Sequence, residues 1–317
     1  MIDVAWFLAA VLVFPGLLFS SLVGLLYLGV DRKVTGRLQN RIGPPVWQEF
    51  IDFGKLMGKE DITPAPAQSS LFTAAPLLAL GASVAAVLLI PVGSAQPALS
   101  TTADLIILIY LLNLPAVFLM LGGYASGSPF GTSGAIRYIV QLMGYELVFI
   151  LAIAAFAART GTLQLAGIVE YQARHGWLLF DWRIIPAAAA MFMAVQGKIL
   201  RVPFDIPEAE SEIVHGPLTE YSGPKLAIWR LSYGIETVAV AGLVASVLFG
   251  GPTPYTVGGL VLPPVLDFII KTFLIVMLTT LIRNIMARLR IDQSLKFYWT
   301  LPTLLAALSL VLGMVVP

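Results

Sequence analysis

Five carboxylates, Asp205, Glu208, Glu210, Glu212 and Glu220, stand in one polar stretch with apolar blocks on either side. Acids this close raise one another's proton affinity by repulsion. Partial burial beside Val202-Pro-Phe-Asp-Ile-Pro207 raises it further, which suits proton transfer. A solvated acidic loop has the same make-up, and the spacing fits both readings. Pro207 suits the first turn of a short helix and Gly216 its end, so Glu208 and Glu212, four residues apart, are expected on one face. Acids in a first turn also favour the helix dipole.

Other ionisable side chains lie inside apolar blocks, where a charge at the bilayer centre costs about 2.5–3.5 kcal/mol. Glu146 has only apolar helical neighbours, Leu142, Met143, Phe149 and Ile150, so its partner must come from another helix or from water. Glu236 follows Ser232 and Tyr233 by one turn, and either can hydrogen-bond its carboxyl group. Each glutamate reads as a relay group or as a protonated structural carboxyl. Asp267 and Lys271 have the spacing of an internal ion pair, and a structural role is favoured for them. Lys198 and Arg201 close an apolar block where they can meet the acidic loop, and Asp104 opens another as its cap. With no cysteine and two distant histidines, His175 and His215, the chain offers no thiolate-held cluster. No catalytic or metal-ligating residue is assigned, and any redox metal is expected in a partner.

Arg32, Lys33, Arg37 and Arg41 precede a rigid Gly43-Pro-Pro45 stop, which suits a docking platform. From Val46 to Lys59 the residues Val46, Trp47, Phe50, Ile51, Phe53 and Met57 recur at helical spacing. Gln48, Glu49, Asp52, Lys55 and Lys59 fall mostly opposite them, as in a helix lying in a membrane interface. A solvated basic loop with an anchoring helix fits the same pattern.

Helices in a bilayer must hold these groups. Of 317 residues 58% are hydrophobic and 12% charged, against about 45–50% and about 25% in a soluble domain. Mean hydropathy is +0.88, and an ordinary soluble enzyme is excluded. The net charge of +1 gives nucleic acid no basic face to bind. Apolar blocks at about 4–30, 71–92, 104–124, 136–158, 184–201, 229–250, 262–286 and 298–316 approach or exceed the about 20 residues that cross a bilayer. The expected fold is all-α, a polytopic membrane protein of eight spans. The block at 184–201 is the weakest, since it includes Gln196 and Lys198.

Loops after the odd-numbered spans carry fifteen Lys and Arg and the alternate loops three, with Lys271 inside a span. The positive-inside bias then puts both termini outside. The first block, beginning Met1-Ile2-Asp3, reads as an uncleaved span. Residues 1–317 are expected to form one domain in the cell membrane, with cytoplasmic loops at 31–70 and 202–228.

Gly36-Arg-Leu-Gln-Asn-Arg-Ile-Gly-Pro44 with Gln48, Asp52, Lys55-Leu56 and Lys59-Glu60 resembles the first cytoplasmic loop of complex I membrane subunit 1 and its hydrogenase relatives. Pro203-Phe-Asp-Ile-Pro-Glu-Ala-Glu-Ser-Glu212 with Glu220-Tyr-Ser-Gly223 resembles the second, and Arg288-Leu-Arg-Ile-Asp-Gln293 more weakly resembles the segment before the last span. Three motifs in order cover essentially the whole chain. Arg41-Ile-Gly-Pro-Pro45 runs directly into Val46-Trp-Gln48, without the second Arg-and-Gly-Pro element usual in quinone-reducing members. That compact form, with His215-Gly-Pro-Leu-Thr-Glu-Tyr-Ser-Gly-Pro224, is similar to the anchor subunit of energy-converting nickel–iron hydrogenases and formate hydrogenlyase.

The resemblance implies a non-catalytic anchor beneath a hydrogenase-like large subunit and an iron–sulfur small subunit on the cytoplasmic side. Antiporter-like subunits would lie beside it in the bilayer. The nickel–iron site and iron–sulfur clusters would belong to those partners, and electron transfer would drive export of protons or sodium. A quinone-binding complex I subunit and a membrane subunit of a related sulfur-reducing complex are the alternatives. A self-contained secondary transporter is a further rival, but no pair of related broken spans is visible. Asp205, Glu208, Glu210, Glu212, Glu220, Glu236 and Glu146 are the expected relay. Arg37, Arg41, Lys198, Arg201, Arg288, Arg290 and Asp292 are the expected docking residues.

Overall fold

A computed structural model describes residues 4–253, 256–257, 260–261 and 263–315, with only the backbone described at 210–211, 256–257 and 260–261. Long apolar runs punctuated by Pro and Gly fold into thirteen α-helices among these residues. They are α1 (Val4–Leu12), α2 (Leu17–Leu38), α3 (Gln48–Met57), α4 (Ser69–Leu88), α5 (Asp104–Ala125), α6 (Pro129–Thr160) and α7 (Leu165–His175). After these come α8 (Ile185–Lys198), α9 (Glu210–Ile213), α10 (Gly223–Leu248), α11 (Pro264–Ile285), α12 (Ile291–Trp299) and α13 (Leu301–Val315). Proline opens α6, α8, α10 and α11, where its missing N–H costs no intrahelical bond. Between α10 and α11, β1 (Thr256–Val257) pairs antiparallel with β2 (Leu260–Val261), Thr256 opposite Val261 and Val257 opposite Leu260.

The core is built around α10, whose residues from Gly234 to Leu248 are all buried. It packs against α2, α4 and α11. Its contact with α2 is set by two glycines: a Cβ on Gly24 would lie 2.5 Å from the Gly234 backbone, so a side chain there forces the helices apart. Around this centre the outer helices turn apolar side chains outward, including Leu114, Val117, Met143, Leu147, Ile150, Leu274 and Leu278.

Seven of the eight expected blocks coincide with helical stretches long and apolar enough to cross a bilayer, counting α1 with α2 and α12 with α13 as one each. The block at 184–201 differs. Only Ile185–Lys198 is helical there, 14 residues, which rise about 21 Å. The helix ends at Lys198, and Leu200, two residues on, sits at positive φ just before Val202-Pro203. Even so, α8 runs beside α6 over much of its length. At one end Arg159 Nε donates to Asp181 at 2.8 Å, and at the other Gln141 donates to the carbonyls of Gly197 and Phe204 at 3.1 and 2.6 Å.

Asp267 and Lys271 lie 2.8 Å apart, both buried. Lys271 also donates to the Gly251 carbonyl at 2.6 Å over the Trp177 ring, and the Thr253 N–H donates to Asp267 at 3.0 Å. The pair thus ties the start of α11 to the end of α10. Asp104, instead of capping its own helix, accepts from the N–H and hydroxyl of Thr101 at 2.5 and 2.8 Å and fixes the preceding turn.

Candidate functional site: a charged cavity and a buried polar chain

At one end of the bundle, where α2, α8 and α11 finish, the two long polar loops enclose a cavity of about 600 Å³. Asp31, at 2% exposure, closes its rim. Its carboxylate accepts from Arg201, from Arg283 at 2.7 Å and from the Thr280 hydroxyl at 2.7 Å, so three elements distant in sequence meet on one acid. Next to it Arg32 donates to Glu49 at 2.5 Å and to Asp52 at 3.1 Å. Burial pushes the Asp52 carboxyl up, but hydrogen bonds from Gln48 and Arg32 outweigh that and hold it below the usual carboxylate value. The polar Glu49 of α3 therefore faces the protein, while Trp47, Ile51 and Met57 face outward.

The acidic loop is arranged differently from its expected single face. Helix α9 has one turn, because Gly216 closes back on Pro207: at φ +53°, a Cβ on Gly216 would lie 1.9 Å from the Pro207 carbonyl oxygen. Glu208 and Glu212 consequently point apart. Glu212 pairs with Arg137 on α6. Asp205 is held bidentately by Arg288, Nε to Oδ1 at 2.8 Å and Nη2 to Oδ2 at 2.5 Å. Glu220 and Glu212 do not line the cavity, whereas Asp205 and Glu208 do. The Glu210 side chain lies outside the described residues.

Glu208 accepts from the Tyr233 hydroxyl at 2.6 Å. Burial is the main influence on its carboxyl and pushes it above the ordinary carboxylate value. The Tyr233 donor and His215 pull it down, neighbouring Asp205 pushes it up and Arg201 pulls it down. A carboxyl raised by folding stabilises the fold below its unfolded value, about 4.3, and loses that contribution as pH rises through the folded value. Glu208→Gln, which keeps the neutral shape, is expected to melt with the wild type in acid and increasingly above it as pH rises. Thermal unfolding of the purified assembly from pH 4.5 to 8 checks this; a constant gap would contradict it.

Glu236 and Lys198 line the buried part of the cavity, 4% and 1% exposed. Glu236 gains nothing from the residues one turn before it: Ser232 pairs with Ser83 at 3.0 Å, and Tyr233 reaches Glu208. Lys198 Nζ donates to Asn113 Oδ1 at 2.6 Å, Asn113 Nδ2 donates to Glu146 Oε1 at 2.6 Å, and Lys198 and Glu146 form an ion pair at 3.6 Å. The rings of Tyr145 and Phe149 flank the ammonium at 5.3 and 4.9 Å. The Glu146 side chain is 13% exposed, and Met143, Leu147 and Ile150 on the same helix are exposed apolar residues. Lys198, Asn113 and Glu146 are thus linked side chain to side chain, and Lys198 shares the cavity lining with Glu236.

The structure divides the expected docking residues. Arg37, Arg41, Arg290 and Asp292 are exposed. Lys198 is buried against Asn113 and Glu146, Arg201 against Asp31, and Arg288 is tied to Asp205, so these three hold the bundle and loops together. Asp31, Asn113, Thr280 and Arg283 join the site without having been marked by sequence, and Tyr233, expected at Glu236, serves Glu208 instead. Asn113 alone carries a signal there, an amide inside an apolar block. Among the described residues no group of three His, Asp or Glu side chains is placed to hold a metal ion.

A family model described as NADH dehydrogenase matches residues 9–314. An NADH-quinone oxidoreductase subunit of Brevibacillus brevis is 31% identical over 98% of this chain and 93% of its own. The corresponding protein of Rubrobacter xylanophilus is 34% identical over 85% and 83%. Among solved structures, a chain of the membrane-bound sulfane sulfur reductase, an archaeal respiratory membrane complex, is 30% identical with a TM-score of 0.87, covering 98% of this chain and all of that one. Matched over nearly its whole length, the chain belongs to the NADH dehydrogenase subunit 1 family and is a multi-pass membrane subunit of a complex I-like assembly.

Proposed function

We propose that this chain is the coupling subunit of its complex: it docks a soluble redox arm over the charged cavity and passes protons sideways to neighbouring membrane subunits. The observation that carries this reading is the polar chain from Glu236 through Lys198 and Asn113 to Glu146. A carboxylate side chain still 13% exposed beside apolar residues favours a protein neighbour over lipid, since a charge in hydrocarbon costs about 2.5–3.5 kcal/mol. Arg37, Arg41, Arg290 and Asp292 present the exposed charges for the soluble arm. An electron arriving at a cluster in that arm shifts protonation among the loop acids, Glu208 first because it borders the cavity, and Glu236 and Glu146 relay the change. α8 is the eighth crossing, and both termini lie outside. The meeting of the ends of α2, α8 and α11 at Asp31 supports one common side for these basic loops.

The compact first-loop motif favours a hydrogenase-type arm with a nickel–iron site and iron–sulfur clusters in the partners. The likeness to the sulfane sulfur reductase chain supports a sulfur-reducing arm equally. Nickel in the purified complex favours the first, iron without nickel the second. The NADH-quinone oxidoreductase relatives favour a second reading, a quinone in the cavity, and quinone extracted in stoichiometric amount from the complex would support it.

Glu146→Gln tests the relay. Ion uptake per electron in vesicles holding the whole complex is expected to fall about tenfold or more while electron transfer stays within about twofold. Unchanged uptake removes Glu146 from the path.

A further inference from the structure

Lys198 pairs with Glu146 and shares the lining of the cavity with a second acid, Glu236. Its Nζ rests on Asn113 at 2.6 Å and Glu146 at 3.6 Å, while its side chain also lines the cavity that Glu236 borders. Its side chain has no exposed surface, so solvent cannot compensate a charge imbalance around it. An uncompensated ion in such a place costs several kcal/mol. Two carboxyl groups and one ammonium are neutral together only when the acids share one proton. The proton and the ammonium must then sit on opposite acids.

We propose that Lys198 is a two-seat cation that alternates between Glu146 and Glu236, always on the acid that lacks the proton. In one state Glu236 is protonated and the ammonium rests on Glu146. In the other the ammonium rests on Glu236 and Glu146 is protonated. Passing from the first to the second moves one proton from the cavity side to the lateral side while the ammonium moves the opposite way. Glu146 then gives its proton to the neighbouring subunit as Glu236 takes one from the cavity, and the ammonium returns. Lysine stays charged throughout, and each cycle carries one proton. Four rotatable bonds allow the swing, the faces of Tyr145 and Phe149 flank the moving charge at 5.3 and 4.9 Å, and the Asn113 carbonyl holds the lateral seat. Lys198 is a positioning residue here: it carries no proton onward but decides which acid holds one.

The two-seat cation rests on the relay proposed for Glu236 and Glu146. Infrared difference spectra of the reconstituted complex, cycled between oxidised and reduced states, test it. Two protonated-carboxyl bands of opposite sign are expected, and both should be absent in Glu236→Gln and in Glu146→Gln, because with one acid gone the ammonium holds the other ionised. Lys198→Met should abolish both, because without the cation both acids keep their protons. Opposed bands that persist in Lys198→Met overturn the proposal. Should that variant not assemble, Asn113→Leu keeps the cation and removes its lateral seat. A shifted Glu146 band with reduced ion uptake is then expected, and an unchanged spectrum with wild-type uptake overturns the proposal. Failure of the relay itself has another pattern, wild-type uptake in both glutamate variants.

Discussion

Replacing Asp31 with alanine is expected to destabilise the assembled subunit by about 3 kcal/mol or more, near the lower end of the cost of breaking a buried ion pair. The carboxylate is 2% exposed and accepts from two guanidinium groups and a hydroxyl. Removing it leaves Arg201, whose side chain is only 11% exposed, without its counter-charge. Arg283, at 35%, can turn to water and recover part of the loss. Asp31→Asn keeps the shape and the Thr280 hydrogen bond, so its loss should be smaller. Thr280→Val should cost only about 1 kcal/mol, the worth of one hydrogen bond. Thermal unfolding of the detergent-solubilised complex gives the order directly. Because Asp31 fixes Arg201 three residues after Lys198, the alanine variant is also expected to lose ion uptake before electron transfer. A variant as stable as the wild type would mean that Asp31 does not hold the cavity rim.

Sequence is most legible in this protein where one local signal controls the outcome. Long apolar runs bounded by Pro and Gly fold into the expected helices because in hydrocarbon every backbone group must be satisfied within the segment. Charge asymmetry groups the loops that meet at the cavity. The block at 184–201 is the hardest to read because Gln196, Lys198 and Arg201 point inward to partners on other helices, so its hydropathy understates how buried it is.

Side-chain partners are much less legible. Lys198 finds Asn113 at 85 positions' separation, and Arg201 finds Asp31 at 170. No periodicity in one segment encodes such a meeting. Spacing predicts a shared face for Glu208 and Glu212, and the closure of Gly216 onto Pro207 turns them apart. Tyr233 lies one turn from Glu236, but its long side chain reaches the loop acid instead. In each case a tertiary contact displaces a local one that spacing alone allows.

The relay makes one further demand, with the largest expected effect on function. If Glu236 and Glu146 serve one path, removing either blocks it, and removing both can do no more. Groups acting as a unit are strongly non-additive, whereas independent sites add. Each glutamine variant is expected to reduce ion uptake per electron about tenfold or more. Lys198 and Asn113 lie between the two acids, so the coupling should hold although the carboxylates belong to different helices. Both variants keep a neutral group of the same size, so the complex should assemble and transfer electrons.

The most direct measurement is therefore the double-mutant cycle for ions taken up per electron in vesicles carrying wild type, Glu236→Gln, Glu146→Gln and the double variant. A single path predicts that the double variant loses about the same tenfold as either single one. Multiplying losses, about a hundredfold in the double variant, would show that the two glutamates act independently and contradict a single chain from the cavity to the lateral face.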